Sequence, residues 1–292
     1  MQLVVLGDVM VDVVCRLDGP LALGSDAPAR IKFGYGGSAA NVAAWAAVAG
    51  GPGRPPALAG RIGADERGRA AEVELRETGV ETRLAIDPER PTGTCVVLVG
   101  PDGERSMVPD PGANDGLEER DLPDELLTQG AHLHLTGYSL LRAGSRAAAR
   151  SAVARARERG MSVSVDPSSA ALLTPGFLDE LAGVGLLLPN REEALVLSGE
   201  PDAESGALAL ARSVPEVVVT MGANGALWTD GTGISHVEAD ASGTARDTTG
   251  AGDAFAAGFL VARLTGAGPE AALRAGCRLA AVAVGTPGAR PA

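Results

Sequence analysis

The sequence predicts an α/β protein: a doubly wound, mostly parallel sheet flanked by helices, with a small discontinuous β-sheet lid. Three observations predict it. Short apolar runs such as Leu3-Val4-Val5-Leu6 read as strands buried on both faces. These runs alternate with longer Ala- and Leu-rich helical stretches, the pattern of βα units with right-handed crossovers. Two separate pieces, about 11–33 and 93–108, interrupt the alternation with hairpin-like text. A chain of 292 residues, 45% hydrophobic, can bury the core of one α/β domain over 1–292 with such an appendage.

The elements follow in order. Residues 3–6 form the first strand, and Asp8 and Asp12 come after it. Residues 11–17 and 29–33 alternate loosely and belong to the lid. Gly34-Tyr35-Gly36-Gly37 is a loop, with Ser38 as the expected N-cap of an Ala-rich helix to residue 49. A strand over 57–62 and a helix over 65–78 lead to Gly79 as the helix stop. Residues 93–99 and 104–108 pair through Gly100-Pro101-Asp102-Gly103, and 111–114 is loop. Strands at 131–135, 161–165, 184–188 and 217–220 alternate with helices at 144–159, 191–197 and 201–212. A late hairpin over 226–229 and 234–237 precedes two helices, 254–264 and 270–284. No internal repeat occurs.

Composition excludes several function classes. The net charge of −12 argues against nucleic acid and anionic membranes as partners. The three cysteines are far apart and show no metal-ligand spacing, which fits a reducing cytoplasm. The N-terminus reads as a strand rather than a signal peptide, and no apolar run is long enough to span a membrane. His132 and His134 alternate on a strand without ligand partners, so neither metal nor triad chemistry is indicated. There is no P-loop, and Gly222-Ala223-Asn224-Gly225 opens a hairpin instead of the helix a dinucleotide fingerprint needs.

The chemistry concentrates at Asp247-Thr248-Thr249-Gly250-Ala251-Gly252-Asp253. Gly250 and Gly252 let backbone N–H groups approach an anion at a helix start. Asp253 in that first turn either complements the helix dipole or takes a proton from a hydroxyl. In doubly wound sheets ligands bind beyond the carboxyl ends of the strands. Asp8, Asp12, Asp166, Asn190, Thr220 and the 247–253 stretch all fall there, which favours the base reading. Asn190 and Glu193 have the spacing of a capping box, and equally of a pair holding the waters of Mg²⁺.

At this point the sequence resembles the ribokinase-like (PfkB) family of carbohydrate and nucleoside kinases. The resemblance rests on Gly36-Gly37-Ser38-Ala39-Ala40-Asn41 and on Asp247-Thr248-Thr249-Gly250-Ala251-Gly252-Asp253-Ala254-Phe255. Gly7-Asp8-x-x-x-Asp12, Asn190-x-x-Glu193 and Thr220-Met221-Gly222-x-x-Gly225 agree in order. It implies an ATP-dependent kinase acting on a ribose-, fructose- or ketoaldonate-like sugar, or on a nucleoside. Asp253 would be the base, with Gly250, Ala251 and Gly252 the anion hole. Asp12, Gly36, Gly37 and Asn41 would grip acceptor hydroxyls, with Arg105 reaching from the lid. Asn190, Thr220, Gly222, Gly225 and Gly288 would line the nucleotide site. Glu193 would hold Mg²⁺ through water, and Asp247 and Thr249 a monovalent cation such as K⁺.

Ser38 stands where many sugar kinases of the family carry Lys, which weakens the case for ribose itself. A purine acceptor would need an aromatic clamp, for which the early segments offer Phe33 and Tyr35. A fold retained for binding alone would have lost Asp253 or the glycines beside it. The exposed lid edges predict a homodimer formed through the lid.

Overall fold

Strand β1 (Leu3–Leu6) is buried along its whole length and runs inside the main sheet. Its side chains alternate between two cores: Val4 and Leu6 face one, Leu3 and Val5 the other. The computed structural model describes residues 1–50, 55–240 and 246–291. After β1 the chain leaves the sheet to make β2 (Met10–Leu17) and β3 (Ala29–Gly36). It returns through α1 (Ser38–Ala49), β4 (Ala57–Gly63), α2 (Glu66–Glu77) and β5 (Glu81–Asp87). A second excursion makes β6 (Gly93–Val99) and β7 (Arg105–Asp110). The other wing contains β8 (His132–Thr136), α3 (Tyr138–Leu141), α4 (Arg146–Glu158), β9 (Ser162–Asp166) and β10 (Leu186–Leu187). It continues with α5 (Arg191–Ser198), α6 (Ala203–Leu210), β11 (Glu216–Thr220), β12 (Ala226–Thr229) and β13 (Ile234–Val237). Helices α7 (Ala251–Leu264) and α8 (Pro269–Gly285) follow.

Among the described residues the main sheet has nine strands in the order β13-β12-β11-β10-β9-β8-β1-β4-β5. All pairings are parallel except those of the β11-β12-β13 end. Helices α4, α5 and α6 cover one face; α1, α2, α7 and α8 cover the other. The second sheet has the order β3-β2-β6-β7 and is assembled from the two excursions. Asn114 ties its base to the main sheet, accepting from Val9 N–H at 2.9 Å and donating to Val9 O at 2.9 Å.

The departures from expectation lie at element ends. Ser38 is not an N-cap: the cap position is Gly37, and Ser38 is the first helical residue. The capping work is done from 30 positions away, where Asp8 accepts from the N–H groups of Ser38 at 3.2 Å and Ala39 at 3.3 Å. Helices expected from 65 and 201 start one and two residues later, because Asp65 and Asp202 are themselves the caps. The strand expected over 184–188 narrows to Leu186–Leu187, squeezed between Gly185 and Pro189. The excursion strands extend to Gly36 and Asp110, beyond the expected 33 and 108.

Candidate active site

Helices α1 and α7 start side by side at the carboxyl ends of the strands, and their first turns meet at Asp253. Ser38 Oγ donates to Asp253 Oδ1 at 2.6 Å, and Asn41 Nδ2 donates to Asp253 Oδ2 at 2.8 Å. Burial pushes the Asp253 carboxyl up to about 6; the two donors and Arg290 oppose the rise, while Asp8 adds to it. At neutral pH the group is ionised yet close enough to titration to accept a proton. Gly250 enters the helix in the left-handed region at φ 75, and a Cβ there would lie 2.3 Å from Ala289 O. No side chain caps this end of α7. Its first N–H groups and the helix dipole therefore offer partial positive charge beside Asp253.

Asp12, Gly36, Gly37 and Asn41, the residues expected to grip an acceptor, all lie on the wall of a cavity of about 700 Å³ that also contains Asp253. Asp12 is raised to about 6 by burial, with Arg290 opposing and Asp8 reinforcing the shift. Gly37 has φ 93, and a Cβ there would sit 2.5 Å from Asp8 O. Behind this wall lies a residue that sequence reasoning missed. The buried Arg290 donates to Asn41 Oδ1 at 3.1 Å and to Gly36 O at 2.6 Å, and pairs with Glu74. It thereby orients the Asn41 amide so that Nδ2 faces Asp253. Nothing local marked it, since its partner Asn41 is 249 positions away.

Arg105 reaches the cavity from the second sheet. Its guanidinium is turned to the 247–249 loop: it pairs with Asp247 Oδ1 at 2.8 Å, donates to Thr248 Oγ1 at 2.9 Å and contacts Thr249 Oγ1. Asp247 also accepts from Thr249 N–H at 3.0 Å and Gly288 N–H at 3.1 Å. The carboxylate expected to receive a monovalent cation thus already faces a guanidinium. Those donors and Arg105 hold its pKa below the ordinary range against the opposing effect of burial.

Among the residues expected to face a nucleotide, Asn190 and Glu193 form the capping box: Glu193 N–H donates to Asn190 Oδ1 at 2.9 Å, and Asn190 N–H donates to Glu193 Oε2 at 2.8 Å. Both also line the cavity with Asp166 and Thr220. Burial, then the charges of Glu193 and Asp253, push Asp166 well above the carboxylate range, and burial raises Glu193 as well. The half-buried Asp166 and the buried Glu193, close enough for one charge to act on the other, are oxygen donors of the kind a hard cation with waters takes. Among the described residues no cluster of three or more such ligands occurs. Ala251, Gly222, Gly225, Gly288 and Asp247 are not on the cavity wall. Gly225 is buried, with its Cα against Val237 O, where a Cβ would sit at 1.9 Å. Its place is a sharp turn against β13. Phe33 and Tyr35 do not line the cavity either; Phe33 is 69% exposed and Tyr35 packs under Arg290.

Comparison with known proteins places the chain in a family. The model of the pfkB family carbohydrate kinase matches residues 1–292. An ATP-dependent ribose-1-phosphate kinase of Halopiger xanaduensis is 33% identical over 290 residues, covering 98% of this chain and 93% of the relative. A fructokinase of Escherichia coli is 33% identical over 88% of this chain and 82% of its own. Among solved structures, adenosine kinase from Sinorhizobium meliloti superposes with a TM-score of 0.90 at 27% identity, covering 99% and 95% of the two chains. Fructokinase from Vibrio cholerae, bound to fructose, ADP and a calcium ion, gives 0.82 at 29%, covering 99% and 94%. With a family match along the whole chain, and kinase relatives on both measures, the chain belongs to the pfkB family of carbohydrate kinases, phosphotransferases with a hydroxyl acceptor.

Proposed function

We propose that this chain transfers the γ-phosphoryl group of ATP to a primary hydroxyl of a small ribose-, fructose- or ketoaldonate-like sugar. The observation that carries it is the Asp253 carboxylate, fixed by Ser38 and Asn41 at the uncapped start of α7 on the cavity floor. Asp253 accepts the hydroxyl proton as the new bond to phosphorus forms. The N–H groups of the Gly250–Gly252 turn take up the phosphoryl charge. Asp12 and Asn41 orient the sugar. Asp166 and Glu193 fit Mg²⁺, which when bound neutralises phosphate charge. Asn190 and Thr220 sit beside them for the nucleotide. The second sheet acts as a lid that excludes water.

An acceptor panel with ATP tests this reading: phosphate transfer should depend on a sugar. Asp253→Asn should lower kcat by about 10²–10⁴-fold while ATP binding persists; retained turnover would remove Asp253 from the base role. A nucleoside kinase is the second reading, favoured by the likeness to adenosine kinase. It is weakened by the position of Phe33 and Tyr35 off the cavity, and adenosine in the same panel decides it. We also infer a cytoplasmic homodimer paired through the lid. The cysteines are free thiols, and no helix among the described residues is long and apolar enough to cross a membrane.

A further inference from the structure

Helix α3 and the residue after it hold a group that the reaction described above leaves unused. Arg142 follows α3 directly, and its guanidinium lies 5.1 Å from the centre of the Tyr138 ring. The ring is itself anchored, because Tyr138 Oη donates to Ser168 O at 3.3 Å. Ser168 offers that carbonyl from a left-handed turn, φ 77. Two bonds secure the turn: Ser168 N–H donates to Asp166 Oδ1 at 2.7 Å, and Gly137 N–H donates to Ser168 Oγ at 2.8 Å. The guanidinium therefore rests on a fixed platform.

Arg142 lines the same cavity as Asp253, and among the described residues it makes no ion pair. This holds although the cavity wall also carries Asp8, Asp12, Asp166 and Glu193. The other arginine on that wall, Arg105, is already engaged by Asp247. A guanidinium has five N–H donors in a planar fork that matches a carboxylate or phosphate. Tyr138 itself lines the cavity. Burial weakens the acidity of Tyr138 most; the charges of Asp8, Asp166 and Asp253 add to that and Arg142 opposes it, which places all four groups around the one ring. A sugar whose hydroxyl faces Asp253 would turn its far end towards Arg142.

We propose that Arg142 sets acceptor specificity by binding an anionic group, phosphate or carboxylate, at the end of the sugar remote from the reacting hydroxyl. The preferred acceptor is then an anionic sugar rather than a neutral one. This rests on the sugar-kinase reading above and adds to it. The test compares ribose, ribose 1-phosphate and a ketoaldonate as acceptors for the wild type, Arg142→Gln and Arg142→Lys. The wild type should prefer one of the two anions, and which one separates phosphate from carboxylate. Arg142→Gln should lower kcat/KM for that anion by about 10- to 100-fold, mainly through KM, and lower the value for ribose far less. Arg142→Lys should recover part of the loss, and KM for ATP should stay as in the wild type. Equal losses on ribose and on the anion, or a loss in KM for ATP alone, would overturn the assignment. Calorimetric titration of ribose 1-phosphate and of the ketoaldonate onto wild type and Arg142→Gln, with a non-hydrolysable ATP analogue, provides an independent readout. Unchanged affinity for both anions overturns the proposal. Absence of turnover on every acceptor would instead remove the kinase reading, and the titration would still decide Arg142.

Discussion

At the scale of single residues, Ser38 shows how one hydroxyl tunes the carboxylate proposed as base. It donates to Asp253 at 2.6 Å, and a hydrogen bond to a charged group stabilises it by about 1.5–3 kcal/mol. Removing it leaves burial less opposed, so the carboxyl of Asp253 rises further. Ser38→Ala should move the acid limb of the kcat profile up from about pH 6 by roughly one pH unit. A pH–rate series on both proteins checks it; coincident limbs would show that another group controls the limb. Asp253 and Asn41 were legible in the sequence because their neighbours in the chain form the motif. Ser38 as a donor to Asp253, Asp8 as the cap of α1 and Arg290 as the brace of Asn41 were not. Their partners lie 215, 30 and 249 positions away, and no local pattern encodes a contact that only the fold creates.

At the scale of elements, β8 and β9 are joined by side chains as well as by their ladder. His132 bonds the hydroxyls of Ser162 and Ser164 at 2.7 Å, and His134 bonds Ser164 at 2.8 Å. Their alternation on a strand was readable; their burial and the serine partners on the neighbouring strand were not. Burial lowers His132 to about 4 and His134 to about 3, with His132 adding to the latter shift, so both are neutral in the fold. In the unfolded chain they take up protons below about pH 6.5. The stability they permit is complete above that pH and declines as pH falls towards about 4, since the unfolded state binds more protons. Urea unfolding at pH 7.5, 6 and 5 should show this decline. His134→Leu, which also removes the unpartnered Nε2, should flatten it. An unchanged slope in the variant would assign the acid sensitivity to other groups.

The strand-helix alternation was the most readable feature at this scale, because apolar period and glycine punctuation both mark it. Element starts were the least readable. A cap such as Asp65 or Asp202 belongs to the loop in backbone angle and to the helix in hydrogen bonding, so sequence alone assigns it to either. The short α3 escaped notice because four residues carry no periodicity.

At the scale of the whole molecule, the second sheet has two different faces. Cys95, Val97 and Met107 look into the cavity. The opposite face carries Ile31, Phe33 and Val108, which are 58%, 69% and 58% exposed. An apolar sheet face of this kind, on a protein of net charge −12, is a surface that association would cover. Phe33→Glu should convert a dimer to a monomer in sedimentation velocity at micromolar concentration. The same monomeric behaviour in the wild type would remove the dimer reading.

The brace from Arg290 to Asn41 and Gly36 bears on how the enzyme is made. Chain synthesis delivers Asn41 early and Asp253 late, and Arg290 later still. Until residue 290 has left the ribosome, the amide beside the base has no guanidinium to orient it, and Glu74 has no counter-charge from that arginine. A chain growing from its N-terminus therefore holds the Asn41 amide without its brace until Arg290 is made. The order of synthesis thus separates the supply of the Asn41 amide from the supply of the guanidinium that orients it.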